Sequence, residues 1–296
     1  MANIKVFIKK VSFFLSIPII LVSIILAFTN RKVEKTISGL NKDQSIKMLF
    51  MGDSHIQKGI IDSLIPNSAN VAQNSESFYF TYFKIKKLFK SGVKVKSIYL
   101  GYSYHSISNY YEDFIFGQNS KFIAPKYFFI LPNKQKIKMF VSNRDNLGLF
   151  VLNIIKDGLN PYNYYIGQYA NKFKNTKANK SSMDKRLELQ YLDGLNEISA
   201  INCHYFNAIL ELCRQNEVQL VLVNTPLHPY YKAKIPSKFV GKYEELIKIG
   251  KLQVINFNDL KLEPNSFIPD GDHVSSEGAI LTTNELYKIL NKTIVK

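Results

Sequence analysis

The sequence predicts an α/β domain with a mostly parallel central sheet, preceded by one N-terminal transmembrane helix. Three observations carry this. Within residues 46–55 an apolar run of strand length stops abruptly at Gly52-Asp53-Ser54, as a buried parallel strand does on reaching the ligand-binding rim of a sheet. Strand, helix and strand then follow in the order of a right-handed crossover unit. Residues 11–29 carry no charge, and nineteen helical residues at about 1.5 Å each approach the roughly 30 Å of a bilayer core.

The N-terminus comes first. Lys5, Lys9 and Lys10 precede the apolar run, and Arg31, Lys32 and Lys35 follow it. A cleaved signal peptide has a shorter apolar region and a small-x-small cleavage site, which Ala27-Phe-Thr-Asn30 does not supply. No Cys follows the run, so a lipoprotein anchor is not expected. Residues 1–35 therefore read as a basic segment and an uncleaved anchor. The three lysines and the α-amino group favour an inside N-terminus, which puts the remaining chain outside the cytoplasm, in a bacterial periplasm or at the cell surface.

Residues 36–296 read as one domain, since 46% apolar content can bury one large core. Residues 33–45 are polar, with Gly39 and Asn41, and predict a short stalk. After the first strand, 57–64 predict a turn or short helix closed by Pro66-Asn67. Residues 70–77 predict a short strand running into a helix, on which Tyr79, Tyr82, Phe83, Lys86 and Phe89 recur at helical spacing until Ser91-Gly92. A strand over 95–102 follows, then a polar and aromatic loop or helix start at 103–113. Residues 114–190 break the repeat and predict an insertion, with a helix at 147–155, the aromatic cluster Tyr162-Asn-Tyr-Tyr165 and a flexible Lys- and Asn-rich arm at 175–181. Insertions at a ligand edge act as lids or substrate platforms. Regular alternation resumes with a helical face of Ile198, Ile201, Tyr205, Ile209 and Leu212. Next come a strand at 218–224 ending in Thr225-Pro-Leu-His228, a helix at 241–249, a strand at 252–257 and a closing helix at 275–291. No internal repeat is present.

The net charge of +16 is uneven: residues 121–190 hold thirteen Lys or Arg against four Asp or Glu. A basic region on a tethered domain suits anionic lipid or an acidic polymer. No nucleic-acid-binding motif accompanies it, so nucleic acid is not an expected partner. Cys203 and Cys213 lie ten apart on one predicted helix, too far along it to bridge.

Ser54, at the end of the first strand, is a candidate nucleophile, and a serine needs a base. Residues 269–279, Pro-Asp270-Gly-Asp272-His273-Val-Ser-Ser-Glu-Gly278-Ala279, offer one. Asp270 stands three residues before His273, so a single turn lets the carboxylate hold the imidazole in the tautomer that accepts a proton from Ser54. Asp272 competes with Asp270 for that orienting role. His55, His105 and His228 stand at predicted strand ends and are candidate substrate-binding residues.

Gly52-Asp53-Ser54 after an early strand, with Asp270-x-x-His273 and Gly278-Ala279 near the C-terminus, resembles the SGNH (GDSL-type) hydrolases. The resemblance implies a three-layer α/β/α sandwich of flavodoxin-like kind and ester hydrolysis or acyl transfer through an acyl-serine, with no cofactor and no metal. It also implies an oxyanion hole from the N–H groups of Ser54 and Ser75, with an asparagine amide from a third block. Here Ser103 stands in place of that asparagine, and Asn74 or His105 are the substitutes. Similar anchored members act on O-acyl groups of surface glycans, so an acylated, in particular O-acetylated, envelope or exported polysaccharide is the expected substrate, and the bilayer and that glycan are the expected partners. Two alternatives stand beside it. Asp53-x-His55 could open a metallophosphoesterase site drawing on His105, His228, Asp270, Asp272 and His273. The changed third block also fits a polysaccharide-binding protein without turnover. The sequence says nothing of oligomeric state.

Overall fold

A computed structural model of the chain describes residues 2–160, 166–192 and 197–294. Its centre is a five-stranded sheet in the order β2-β1-β3-β4-β5, with β1 at Met48–Met51, β2 at Ser68–Asn70, β3 at Ser97–Gly101, β4 at Gln219–Asn224 and β5 at Gln253–Asn256. Every neighbouring pair is parallel. In this order the chain leaves β1 for β2 on one side and reaches β3 on the other. The crevice where a doubly wound sheet takes its ligand therefore lies at the carboxyl ends of β1 and β3.

Successive strand side chains point to opposite faces, and each strand feeds two cores. Leu49 and Met51 on β1, Ile98 and Leu100 on β3, and Leu220 and Leu222 on β4 face one side. Against them pack α3 (Phe78–Lys90), α9 (Ala200–Gln215) and α11 (Ser237–Gly250), through residues such as Phe80, Phe206 and Phe239. Phe50, Tyr99, Val221 and Val223 face the other side, where Ile56 and Ile60 of α2 (Ser54–Gly59) and its C-cap meet Leu286 and Leu290 of α12 (Ser276–Ile294). The result is the expected three-layer α/β/α sandwich. Truncating a buried ring such as Phe50 to Ala costs about 3–5 kcal/mol.

The first helix departs from expectation. α1 runs unbroken over Ala2–Lys42, so the polar stretch read as a stalk is its last turns, and the boundary drawn at residue 35 falls inside a helix. Thr29, Val33 and Ile37 recur every fourth residue and are buried on the domain, and Glu34 pairs with Lys87 of α3. α1 is long and apolar enough to cross a membrane.

α4 (Tyr110–Ile115) leads into the insertion, which holds α5 (Ser120–Ile123), α6 (Asn133–Ser142) and α7 (Leu147–Leu159), and after residues 161–165 continues into α8 (Lys180–Leu187). The aromatic cluster 162–165 lies outside the described residues. The arm expected to be flexible is tied down. Thr176 Oγ1 donates to the Phe267 carbonyl at 3.2 Å, and the Asn179 N–H to that of Pro269 at 3.1 Å. Asn171 Nδ2 bridges the carbonyls of Lys58 and Val274. Gly167, at φ +95°, touches the 71–72 backbone so closely that an added Cβ would sit 2.3 Å from the Ala72 carbonyl oxygen. Residues 166–179 are a strap across the carboxyl edge of the sheet. A short helix, α10 (Pro229–Lys232), completes that edge.

Candidate active site

β1 ends in Gly52, whose φ of +129° turns the chain sharply into α2. A Cβ there would meet the Gly101 backbone at 3.2 Å, and a Cβ on Gly101 would lie 2.6 Å from the Ile56 side chain, so the glycines let β1, β3 and α2 close on one another. Asp53 caps α2 by accepting the His55 N–H at 2.9 Å. Ser54 is the first residue of the helix, and its N–H has no partner within the helix.

The far end of the chain comes back to this point. Ser54 Oγ lies 2.7 Å from His273 Nε2, and His273 Nδ1 lies 2.8 Å from Asp270 Oδ2. The other oxygen of Asp270 accepts the N–H groups of Asp272 and His273, at 3.0 and 3.1 Å. That turn fixes the carboxylate and the ring it orients as one unit. Asp272 does not take the orienting position. It is fully buried and accepts from Arg186 Nε at 2.8 Å and Gln190 Nε2 at 3.0 Å.

A second imidazole lies against the first. The rings of His55 and His273 are 4.6 Å apart and those of His55 and His105 are 4.5 Å apart, so three histidines stack inward from Ser54. His55 Nε2 approaches Asp272 Oδ1 to 3.1 Å, off the line of a directed hydrogen bond. His55 Nδ1 faces Thr225 Oγ1 at 3.0 Å and Ser103 Oγ at 3.3 Å. His105 Nε2 lies 2.9 Å from Asp53 Oδ2, which also accepts from Tyr111.

Charge distributes unevenly over this stack. Burial drives His273 toward its neutral form, Asp270 opposes this, and the positive charges of Lys58 and His55 reinforce it, leaving the pKa at about 4. Burial also works against a charged His55, but the Asp272 carboxylate outweighs it and raises the pKa. Asp272 itself is penalised by burial, yet His55 and Arg186 hold it well below the usual carboxylate range. A neutral His273 can accept a proton, so the site combines an in-reach hydroxyl, a base and an orienter of that base.

Several expectations need correction. His55 and His105 were expected to bind substrate, but they are 2% and 1% exposed, lie beneath the triad and have no surface to offer a ligand. Ser103 was expected to donate to an oxyanion. Its only hydroxyl proton is directed at Asn224 Oδ1, 3.2 Å away, while its lone pairs face His55. Nor does His105 replace the missing amide, because its Nε2 is engaged by Asp53. His228 is half-buried at the rim, its N–H donating to the Gly271 carbonyl at 2.9 Å. Asn74 and Ser75 occupy a turn whose Gln73 N–H donates to the Gly52 carbonyl at 2.9 Å, beside Ser54. Asn74 is exposed, and Ser75 holds φ +63°, the left-handed region that favours glycine.

A metal fits this donor set poorly. His55, Asp272 and His273 bring ligand atoms within 4.8 Å of one another. Both ring nitrogens of His273 are engaged by Ser54 and Asp270, however, and the Arg186 cation occupies Asp272. Asp53 and His105 are paired with each other, and His228 Nδ1 accepts the Tyr230 N–H.

Sequence reasoning missed Thr225, Asn224, Lys58, Arg186 and Gln190. The first two end β4 at the same edge as Ser54, so the parallel-sheet rule contained the signal. Arg186 and Gln190 come from the insertion and carry no motif.

Comparison with known proteins adds structural neighbours. No family model matches the sequence, and no curated protein is similar to it at a significant level. The chain is similar in structure to a GDSL-like lipase from Bacteroides thetaiotaomicron VPI-5482, at 11% identity and a TM-score of 0.43, over 90% of this chain and 99% of that one.

Proposed function

We propose that the protein is a membrane-tethered serine esterase or O-acyltransferase that acts through an acyl-serine. What carries this reading is the relay of Ser54 Oγ, His273 Nε2 and Asp270 Oδ2, at 2.7 and 2.8 Å between chain segments more than two hundred residues apart. His273 Nε2 takes the Ser54 proton as Oγ attacks the ester carbonyl. Asp270 stabilises the imidazolium that forms, and the N–H groups of Ser54 and Ser75 take the oxyanion. His273 then returns the proton to the departing alcohol oxygen. In the second half-reaction the same nitrogen deprotonates water or an acceptor hydroxyl, which releases the acid or the transferred ester.

The favoured substrate is an O-acetyl group on an exported glycan. Ser54 is 4% exposed, which suits a small acyl group better than a long chain. The lysine distribution around α1 favours a domain outside the cytoplasm, where such glycans lie. A test is acetate release or transfer by the full chain on acetylated glycans, with and without an acceptor sugar. Turnover lost in Ser54→Ala supports the reading, and undiminished turnover in that variant ends it.

One observation favours a second reading, a glycan-binding protein with little turnover. The Ser103 proton points at Asn224, so the hole lacks a third side-chain donor, and one missing donor costs about 100- to 1,000-fold in turnover. Glycan binding without acylation of Ser54 by any ester would select it.

A further inference from the structure

The strongest feature outside the catalytic edge is a basic cleft at the foot of α1. It has a volume of 490 Å³ and lies between α1, α3 and the turn leading into α6. Asn30 and Glu34 line it from α1, Lys86, Lys87 and Lys90 from α3, and Lys136 from α6. Four lysines thus face one carboxylate, and that carboxylate pairs with Lys87. Lys136 is partly desolvated and feels the Lys87 charge, both of which weaken its hold on its proton. An anion between these ammonium groups would relieve their repulsion.

The depth of the cleft identifies the anion. The uncharged run of α1 ends at Thr29, and Asn30 and Glu34 follow within about 8 Å along the helix axis. That is the thickness of the headgroup layer on one side of a bilayer. The domain holds the helix here, since Thr29, Val33 and Ile37 are buried on it. Where the backbones of α1 and α7 meet, a Cβ on Gly158 would lie 2.4 Å from Thr29 Oγ1. The end of α7 therefore lies beside the last apolar turn of α1, where Leu159 is exposed, as are Leu149 and Leu152 further along the helix. An exposed leucine at the acyl boundary and lysines one layer further out are the arrangement of a surface seated on lipid.

We infer that this cleft binds the phosphate of an anionic phospholipid and so seats the domain on the membrane that α1 crosses. The inference rests on the reading of residues 11–29 as a membrane span. The lysines contact the phosphate, and the acyl chains run back along α1 and the exposed leucines of α7.

The test is lipid retention by the full chain in nanodiscs of phosphatidylcholine with a minority of phosphatidylglycerol, followed by native mass spectrometry. Wild type is expected to retain phosphatidylglycerol in preference to phosphatidylcholine. Lys86→Gln, Lys90→Gln and Lys136→Gln should each weaken that retention about fivefold, the factor for one lysine at an anionic surface. Lys86 and Lys90 are solvent-exposed, so their variants keep the fold, and Lys248→Gln, on an exposed face of α11, should leave retention unchanged. Equal retention of the two lipids overturns the inference, as does a preference that survives all three substitutions. Displacement of the lipid by millimolar inorganic phosphate would reassign the cleft to a soluble anion and overturn it too. Pure phosphatidylcholine discs separate the underlying reading: a chain that enters them has its span whatever the lysines do. A chain that does not enter them loses both the span and the lipid site.

Discussion

Two histidine–aspartate pairs lie side by side behind Ser54, one within the C-terminal turn and one between that turn and the residue after Ser54. His273 with Asp270 sits at the edge, where the Asp270 side chain is 23% exposed, and its ring reaches the serine hydroxyl. His55 with Asp272 sits one ring deeper, enclosed by Arg186, Gln190 and Thr225. Like residues meet opposite fates. Burial, reinforced by Lys58 and His55 against the pull of Asp270, lowers the pKa of the outer imidazole to about 4, whereas the Asp272 carboxylate raises that of the inner one against the same burial. The difference teaches that burial keeps a base ready, and that a carboxylate sealed beside the neighbouring ring reverses the effect of the same burial.

The comparison breaks first at the carboxylates. Asp270→Ala should lower kcat by about 10⁴-fold, since it removes the group that orients His273, with a smaller cost in stability from the two N–H groups it leaves unpaired. Asp272→Ala should do the reverse in kind. Arg186 and His55 are left without their partner, and breaking such a buried pair costs about 3–5 kcal/mol, read as a lowered denaturant midpoint. The Asp272 carboxyl is held below its unfolded value, so its stabilisation is present above about pH 4 and lost as the pH falls further. If Asp272→Ala instead matches Asp270→Ala in activity loss at full stability, the assignment of the two carboxylates is reversed.

A smaller effect sharpens the electrostatic part. General-base catalysis needs neutral His273, so kcat/KM should fall as the pH drops through about 4 rather than through the ordinary histidine range. His55→Gln removes a neighbour whose positive charge lowers the His273 pKa, and should move that acidic limb upward. An unmoved limb would show that no charge on His55 reaches His273. The smallest change is Ser75→Gly. Relief of a left-handed serine and the greater freedom of unfolded glycine nearly cancel, so stability should stay within about 1 kcal/mol and activity should persist through the retained N–H.

The legibility of this molecule follows the range of its interactions. The parallel sheet was readable because β1, β3 and β4 are short apolar runs ending at Gly, Gly and Thr, and the triad because its members stand at two such ends. The continuation of α1 was not, since only Val33 and Ile37 carry its buried face among Lys, Thr, Ser and Gly that read as a loop. Burial of His55 and His105 was equally hidden. A histidine at a strand end reads as a surface group until its carboxylate, Asp272 or Asp53, is found in space. Arg186 and Gln190 lie in a lysine-rich insertion where one more cation carries no pattern, yet they close the inner pair. The strap of residues 166–179 is polar and looks mobile in sequence, but its backbone bonds to carbonyls that only the folded edge presents.

The central claim is that His273 activates Ser54. Modification of the full chain by a fluorophosphonate near pH 6, located by peptide mapping, reads it directly. The account predicts stoichiometric labelling at Ser54 and a rate about a thousandfold lower in His273→Ala. Labelling at another serine, or at Ser54 with the same rate in both proteins, would contradict it.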